Sequence, residues 1–194
     1  VKADIKICND IHPYLIAMWK GLQNGWTPPD AISKEEYQYI KAHKDENPAL
    51  TGFVGFGCSF GGKWFGGYAH DKRGDDYCGQ AKRGVMRDLT GLKGATFECG
   101  DYRDVVIPEH SVVYADPPYK DTAGYSSEFD HAAFYSWAAH CPRPILISEY
   151  DMPREVFACI GEMKHVASFS QTNKKIAERL FVPRHQLDTW RNIT

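Results

Sequence analysis

Ser111-Val112-Val113-Tyr114-Ala115-Asp116-Pro117-Pro118-Tyr119 is an apolar run that ends abruptly in a carboxylate, two prolines and an aromatic ring. The run reads as a buried strand, and Asp116 stands at its C-terminal end, where open α/β sheets bind ligands. The chemistry of the tetrapeptide suits an exocyclic amine, whose lone pair is delocalised into its ring and must be drawn out before it attacks. A carboxylate (Asp116) and the carbonyl of Pro117 can each accept one amine hydrogen, leaving the lone pair to point at an electrophile. Pro117 and Pro118 have fixed φ and no N–H, so they hold carbonyls rigidly beyond the strand. Tyr119 offers a flat face for a base taken out of a helix. The same four residues also suit a plain strand stop, with Asp as turn former and Tyr as packed aromatic.

Outward from this stretch, apolar runs alternate with amphipathic segments, which predicts an α/β fold with parallel strands joined by crossover helices. Strands are expected at Ile5 to Cys8, 95 to 99, the run ending at Asp116, and Ile145 to Ser148. An antiparallel pair is expected at about 164 to 170 and 177 to 182. Helices are expected at Pro13 to Leu22 and from Ser33, whose spacing to Glu36 is a capping box, to about His43. Others are expected at Gly79 to Leu89, at 131 to 140 after an Asp130 cap, and briefly from Pro153. Seven glycines between positions 52 and 67 predict loops and turns there.

The chain has 194 residues and 43% hydrophobic content, enough for one globular domain with a real core. With 23 basic and 25 acidic residues, no global positive field announces nucleic acid. A local excess does exist between 61 and 93, where Lys63, Lys72, Arg73, Lys82, Arg83, Arg87 and Lys93 outnumber Asp71, Asp75, Asp76 and Asp88. That stretch could face phosphates or form a solvated helix face. The six cysteines show no metal-ligand spacing, which predicts reduced thiols, no metal site and a cytoplasmic chain. No membrane span is expected, because no apolar run approaches roughly 20 residues. His12, His131 and His140 carry no ligand spacing and are assigned no chemistry.

Several elements occur together in one order: Asn9-Asp10-Ile11 after a strand, the Gly-aromatic segment 52 to 68, Gly100-Asp101-Tyr102, Asp116 to Tyr119, Ser148-Glu149-Tyr150-Asp151, and the closing stretch Lys174 to Val182. In this the chain resembles the DNA adenine-N6 methyltransferases of the Dam type, the phage-borne ones particularly, over nearly its whole length. The resemblance implies a Rossmann-like, mostly parallel sheet with an antiparallel C-terminal hairpin. It further implies a single domain, 1–194, with a catalytic core at 1–23 and 91–194 and a helical, Gly-aromatic recognition insertion at about 24–90. It implies S-adenosylmethionine as cofactor, held by Asp10, Ile11, Asp101, Tyr102 and Asp116, with Asp116, Pro117, Pro118 and Tyr119 as catalytic residues. Double-stranded DNA is the implied partner, contacted by Lys63, Trp64, Tyr68, Lys174 and Lys175. Alternatives from the residues alone are an N-cap for Asp10, a turn for Asp101, an aromatic minicore for residues 52 to 68 and a charged hairpin edge for Lys174 and Lys175.

Phe53-Val54-Gly55-Phe56-Gly57 imitates the Phe-x-Gly-x-Gly cofactor loop of that family but is expected to be a decoy, since it neither follows a strand nor opens a helix. The genuine loop and the first strand are not found in this sequence. The expectation is therefore that a missing N-terminal segment or a second chain completes the sheet. Two other functions are open: methylation of cytosine's exocyclic amine by a related tetrapeptide, and a truncated, catalytically silent DNA-binding or partner-dependent remnant.

Overall fold

The computed structural model describes residues 3–70, 76–120, 129–164 and 177–191. It is an α/β protein that divides into two compact units, Val1–Val105 and Val106–Thr194.

In the first unit, strand β1 (Ile7–Asp10) pairs in parallel with β2 (Thr96–Cys99), placing Asp10 opposite Cys99. The strand therefore begins two residues later than expected and ends on Asp10 itself. Helices α1 (Pro13–Gln23), α2 (Lys34–Ala42), α3 (Pro48–Gly57) and α4 (Tyr77–Gly91) lie between the two strands in sequence. The capping box of α2 is formed: Glu36 N–H donates to Ser33 Oγ at 3.1 Å and Ser33 N–H to Glu36 Oε2 at 2.7 Å. Met18, Leu22, Tyr37, Ile40, Phe53, Val54 and Phe65 form the buried core of these helices.

Helix α3 corrects the expectation of loops at 52 to 57. Asn47 caps it and Pro48 opens it, both good start signals. Its glycines serve packing: a Cβ on Gly52 would collide with the Tyr14 carbonyl of α1, and one on Gly55 with the Trp64 ring. Close approach therefore outweighs the roughly 1 kcal/mol helix penalty of each glycine.

In the second unit, β3 (Val113–Ala115), β4 (Ile145–Glu149), β5 (Phe157–Lys164) and β6 (Ala177–Pro183) form one mixed sheet in the order β3-β4-β6-β5. β3 and β4 are parallel; β4–β6 and β5–β6 are antiparallel. The C-terminal hairpin is thus present: its first strand is Phe157–Lys164, and residues 165–170 of the strand expected at about 164 to 170 lie outside the described residues. Pro153 starts a turn instead of a helix, its carbonyl accepting the N–H groups of Val156 and Phe157. Helix α5 (His131–Ala139) is capped by Asp130, which accepts from Ala133 N–H at 2.9 Å. Ile145, Ile147, Phe157, Phe181 and Val182 are buried. Gln186 is buried too and fully used, accepting from Ile145 N–H and donating to the carbonyls of Cys141 and Arg143. A short helix, α6 (Leu187–Arg191), follows.

Candidate active site

In the second unit the tetrapeptide leaves β3 directly, with Pro117 buried and Asp116 exposed. Tyr119 is anchored at its hydroxyl. That oxygen lies 2.9 Å from Ser148 Oγ and donates to Glu178 Oε1 at 3.0 Å, while Ser148 donates to the same carboxylate oxygen at 2.5 Å. Tyr150 packs against the Tyr119 ring at 63°, centroids 4.5 Å apart. Although Asp116 is exposed as a residue, partial loss of water raises its carboxyl pKa and the nearby Glu178 charge adds to this, while the Tyr119 hydroxyl, whose one proton is shared with Glu178, opposes it. Burial likewise raises the Tyr119 phenol, which therefore remains a donor.

The backbone around Tyr119 is held by two further side chains. Glu149, at the end of β4, is fully buried, with Oε1 accepting Lys120 N–H at 2.8 Å and Oε2 accepting Tyr150 N–H at 2.5 Å. His131, the first residue of α5, places Nε2 2.9 Å from the Pro118 carbonyl and Nδ1 3.1 Å from the Phe129 carbonyl. Its Nε2 is 4.0 Å from Glu149 Oε1. Burial raises the Glu149 carboxyl pKa; the two backbone bonds and His131 pull it back. Beside Lys120 opens a cleft of about 540 Å³ lined by Tyr135, Tyr150, Met152 and Arg154, among others.

The sequence reading gave His131 and Glu178 no role in this constellation and named Ser148 and Glu149 only within the Ser148-to-Asp151 element. For Glu149 the available signal was its place as the last residue of a buried strand. Asp151, by contrast, is an exposed acid 4.0 Å from Arg154.

In the first unit, the candidates Asp10, Ile11, Asp101 and Tyr102 gather at the C-terminal ends of the parallel pair. Asn9 Nδ2 donates to the Gly100 carbonyl at 2.9 Å, and Gly100 N–H to the Asp10 carbonyl at 3.2 Å. Asp10 Oδ1 accepts His12 N–H at 2.7 Å, while the helix cap itself is His12. Oδ2 makes no hydrogen bond among the described residues, so a vicinal-diol donor fits there. Asp101 is different: Arg103 engages both of its oxygens, at 2.8 and 2.5 Å, and holds its carboxyl pKa down at about 2. Any ligand group aimed at that carboxylate must share it with Arg103. As acceptors, the Asp10 carboxylate suits hydroxyl hydrogens of a ligand, and the Asp101 carboxylate takes a further donor only alongside the Arg103 pair.

Of the residues expected at DNA, Lys63 is exposed. Trp64 stacks on Tyr14 and meets the His12, Phe56 and Phe65 rings at an angle. Tyr68 packs on Tyr37 and donates to the Ile32 carbonyl at 2.6 Å. Both aromatics belong to the minicore around α3. Three cations of the basic stretch are paired with acids, Lys82 with Asp30, Arg83 with Asp76 and Arg87 with Asp88. Lys174 and Lys175 lie outside the described residues. Among those residues no helix is long and apolar enough to cross a membrane, and no group of three or more His, Cys, Asp or Glu side chains could hold a metal ion.

Comparison with known protein families finds no model that matches this chain, and comparison with curated proteins finds no relative.

Proposed function

We propose that the chain is a Rossmann-like methyltransferase that methylates the exocyclic amine of adenine in double-stranded DNA, using S-adenosylmethionine. The observation that carries the reading is the Asp116–Tyr119 tetrapeptide at the end of a parallel strand, with Tyr119 fixed through its hydroxyl to Ser148 and Glu178. Asp116 and the Pro117 carbonyl accept the two amine hydrogens, so the nitrogen lone pair points away from the protein's acceptors. Tyr119 gives the extruded base a face to stack on, its hydroxyl keeping the ring from turning. Asp10 accepts hydroxyl hydrogens of the cofactor's ribose, with Ile11, Asp101 and Tyr102 as further cofactor residues. When bound, S-adenosylmethionine supplies an electrophilic methyl group on a sulfonium that departs as a neutral thioether. DNA contact falls to Lys63 and, outside the described residues, Lys174 and Lys175.

Incubation of the chain with radiolabelled cofactor and unmethylated duplex, alone and joined to a segment bearing a Phe-x-Gly-x-Gly loop, tests this. Label on adenine that is lost in Asp116→Ala supports it. No transfer in either form ends it.

A partner-dependent form is a second reading, favoured by one observation. Among the described residues β1 and β3 each pair along one edge only, and Ile5, Ile11, Val112 and Tyr114 near them are exposed. Unpaired edges with apolar side chains are templates for another strand.

A further inference from the structure

We propose that both ring nitrogens of His131 carry protons in the folded chain, and that this imidazolium, paired with Glu149, clamps the backbone on either side of Tyr119. Each nitrogen of His131 faces a carbonyl oxygen, Pro118 at 2.9 Å and Phe129 at 3.1 Å. A carbonyl only accepts, whereas neutral imidazole has a single N–H, so either neutral tautomer sets a nitrogen lone pair against an oxygen lone pair. The imidazolium alone satisfies both contacts. Glu149 is its mirror image: both oxygens accept backbone N–H groups, from Lys120 and Tyr150, and such bonds favour the ionised carboxylate. A cation and an anion therefore stand 4.0 Å apart, with side-chain exposures of 13% and 0%.

The surroundings favour this state. Glu149 approaches from β4, and Lys120 belongs to the stretch after β3. Tyr135, one turn along α5, has its ring 6.0 Å from the imidazole, and the Phe129 ring lies 5.0 Å away. The start of α5 opposes a cation with about half a positive charge spread over its first turn, but Asp130 caps that turn and Glu149 offers a full negative charge at 4.0 Å. The consequence is positional. His131 holds the carbonyl before Tyr119 and Glu149 the N–H after it, so the two peptide units that orient the ring are fixed by one charge pair. His131 is thus a positioning residue for the tetrapeptide. That role rests on the methylation reading; the protonation state does not.

The long-range 1H–15N spectrum of the histidine-labelled wild-type chain at pH 7, with the His131 signal assigned by its loss in His131→Gln, is the first measurement. Two protonated nitrogens are expected, and a neutral tautomer overturns the clamp. The second measurement is methyl transfer by His131→Gln and His131→Leu, each checked for folding by circular dichroism. Gln can still donate to the Pro118 carbonyl and should keep kcat within about 10-fold. Leu should lower kcat about 100-fold with little change in the KM for duplex, the scale of a misplacement of about 1 Å. A folded Leu variant with wild-type kcat, or one whose loss lies wholly in KM, overturns the positioning role. A wild-type chain that transfers no methyl group ends the methylation reading and the positioning role with it, and the spectrum then decides the clamp alone.

Discussion

Glu149→Leu tests whether the charge pair behind Tyr119 holds the second unit together. The substitution removes the acceptor of two backbone N–H groups, Lys120 at 2.8 Å and Tyr150 at 2.5 Å, in a place where the side chain has no exposure. Each orphaned N–H costs about 1–3 kcal/mol. His131 also loses its counter-ion, and breaking one side of a buried pair costs about 3–5 kcal/mol. These losses overlap, because the same desolvated pocket is counted in both, so about 4 kcal/mol is the expected total. Against a domain stability of about 5–15 kcal/mol this is most of the margin. For a unit of this size it lowers Tm by roughly 15 °C or more. Urea unfolding followed by the fluorescence of Trp137 and by circular dichroism reads the loss.

The double variant His131→Leu with Glu149→Leu should be less damaged than Glu149→Leu alone, since no unpaired charge remains, yet still weaker than wild type because the two N–H groups stay orphaned. pH supplies a further check. Burial raises the Glu149 pKa in the folded state, so the folded chain binds that proton more tightly than the unfolded chain does. That proton uptake adds stability below the ordinary carboxylate range and the gain is lost as pH rises through the raised folded value, so it opposes the charge pair, which forms only once Glu149 is ionised. Glu149→Leu should lack that dependence. A loss below about 1 kcal/mol in Glu149→Leu would mean that water reaches both N–H groups and that Glu149 does not clamp them.

Three other outcomes follow from single contacts. Tyr119→Phe removes the hydrogen bond that lowers the Asp116 pKa, and Glu178→Gln removes the like charge that raises it. The acid limb of kcat/KM for methyl transfer should therefore move to higher pH in the first and to lower pH in the second; shifts of the same sign would refute the network. Gly52→Ala should destabilise the first unit by at least about 1–3 kcal/mol in urea, because the collision is with the fixed Tyr14 carbonyl rather than a mobile side chain. Asp101 should titrate near its depressed value of about 2 by carboxyl NMR, so its ion pair contributes above the usual carboxylate range and is lost as pH falls through that value. Arg103→Leu should return it to the ordinary range.

Features that depend on neighbours in sequence were legible, and those that depend on distant neighbours were not. The Ser33–Glu36 capping box, the Asp130 cap and the strand before Asp116 are all local, and each forms. Helix α3 was missed because glycine propensity is a local quantity, whereas the reason for Gly52 and Gly55 is the approach of Tyr14 and Trp64. β5 begins early because its register is set by pairing with β6, Phe157 lying opposite Pro183, which the residues around 157 do not announce. At the candidate site Asp116 and Tyr119 stood out from the motif, but Ser148, Glu178 and His131 join them across 29, 59 and 13 residues of sequence. No spacing rule reaches that far.

The contacts around Tyr119 also weigh on the plainest alternative, that Asp-Pro-Pro-Tyr merely stops a strand. A stop needs only the missing N–H groups of the prolines and a turn former. It does not need a buried carboxylate on the next strand and a histidine on the next helix. Such a pair gains little stability over apolar residues of the same volume, because desolvating two charges offsets most of their attraction. What it does provide is direction: a fixed carbonyl at Pro118, a fixed N–H at Lys120 and, through Ser148 and Glu178, a fixed phenol between them. Holding one aromatic ring at three points is the expense of a surface that must meet a partner in one orientation. A ring that only filled space could be held by packing alone.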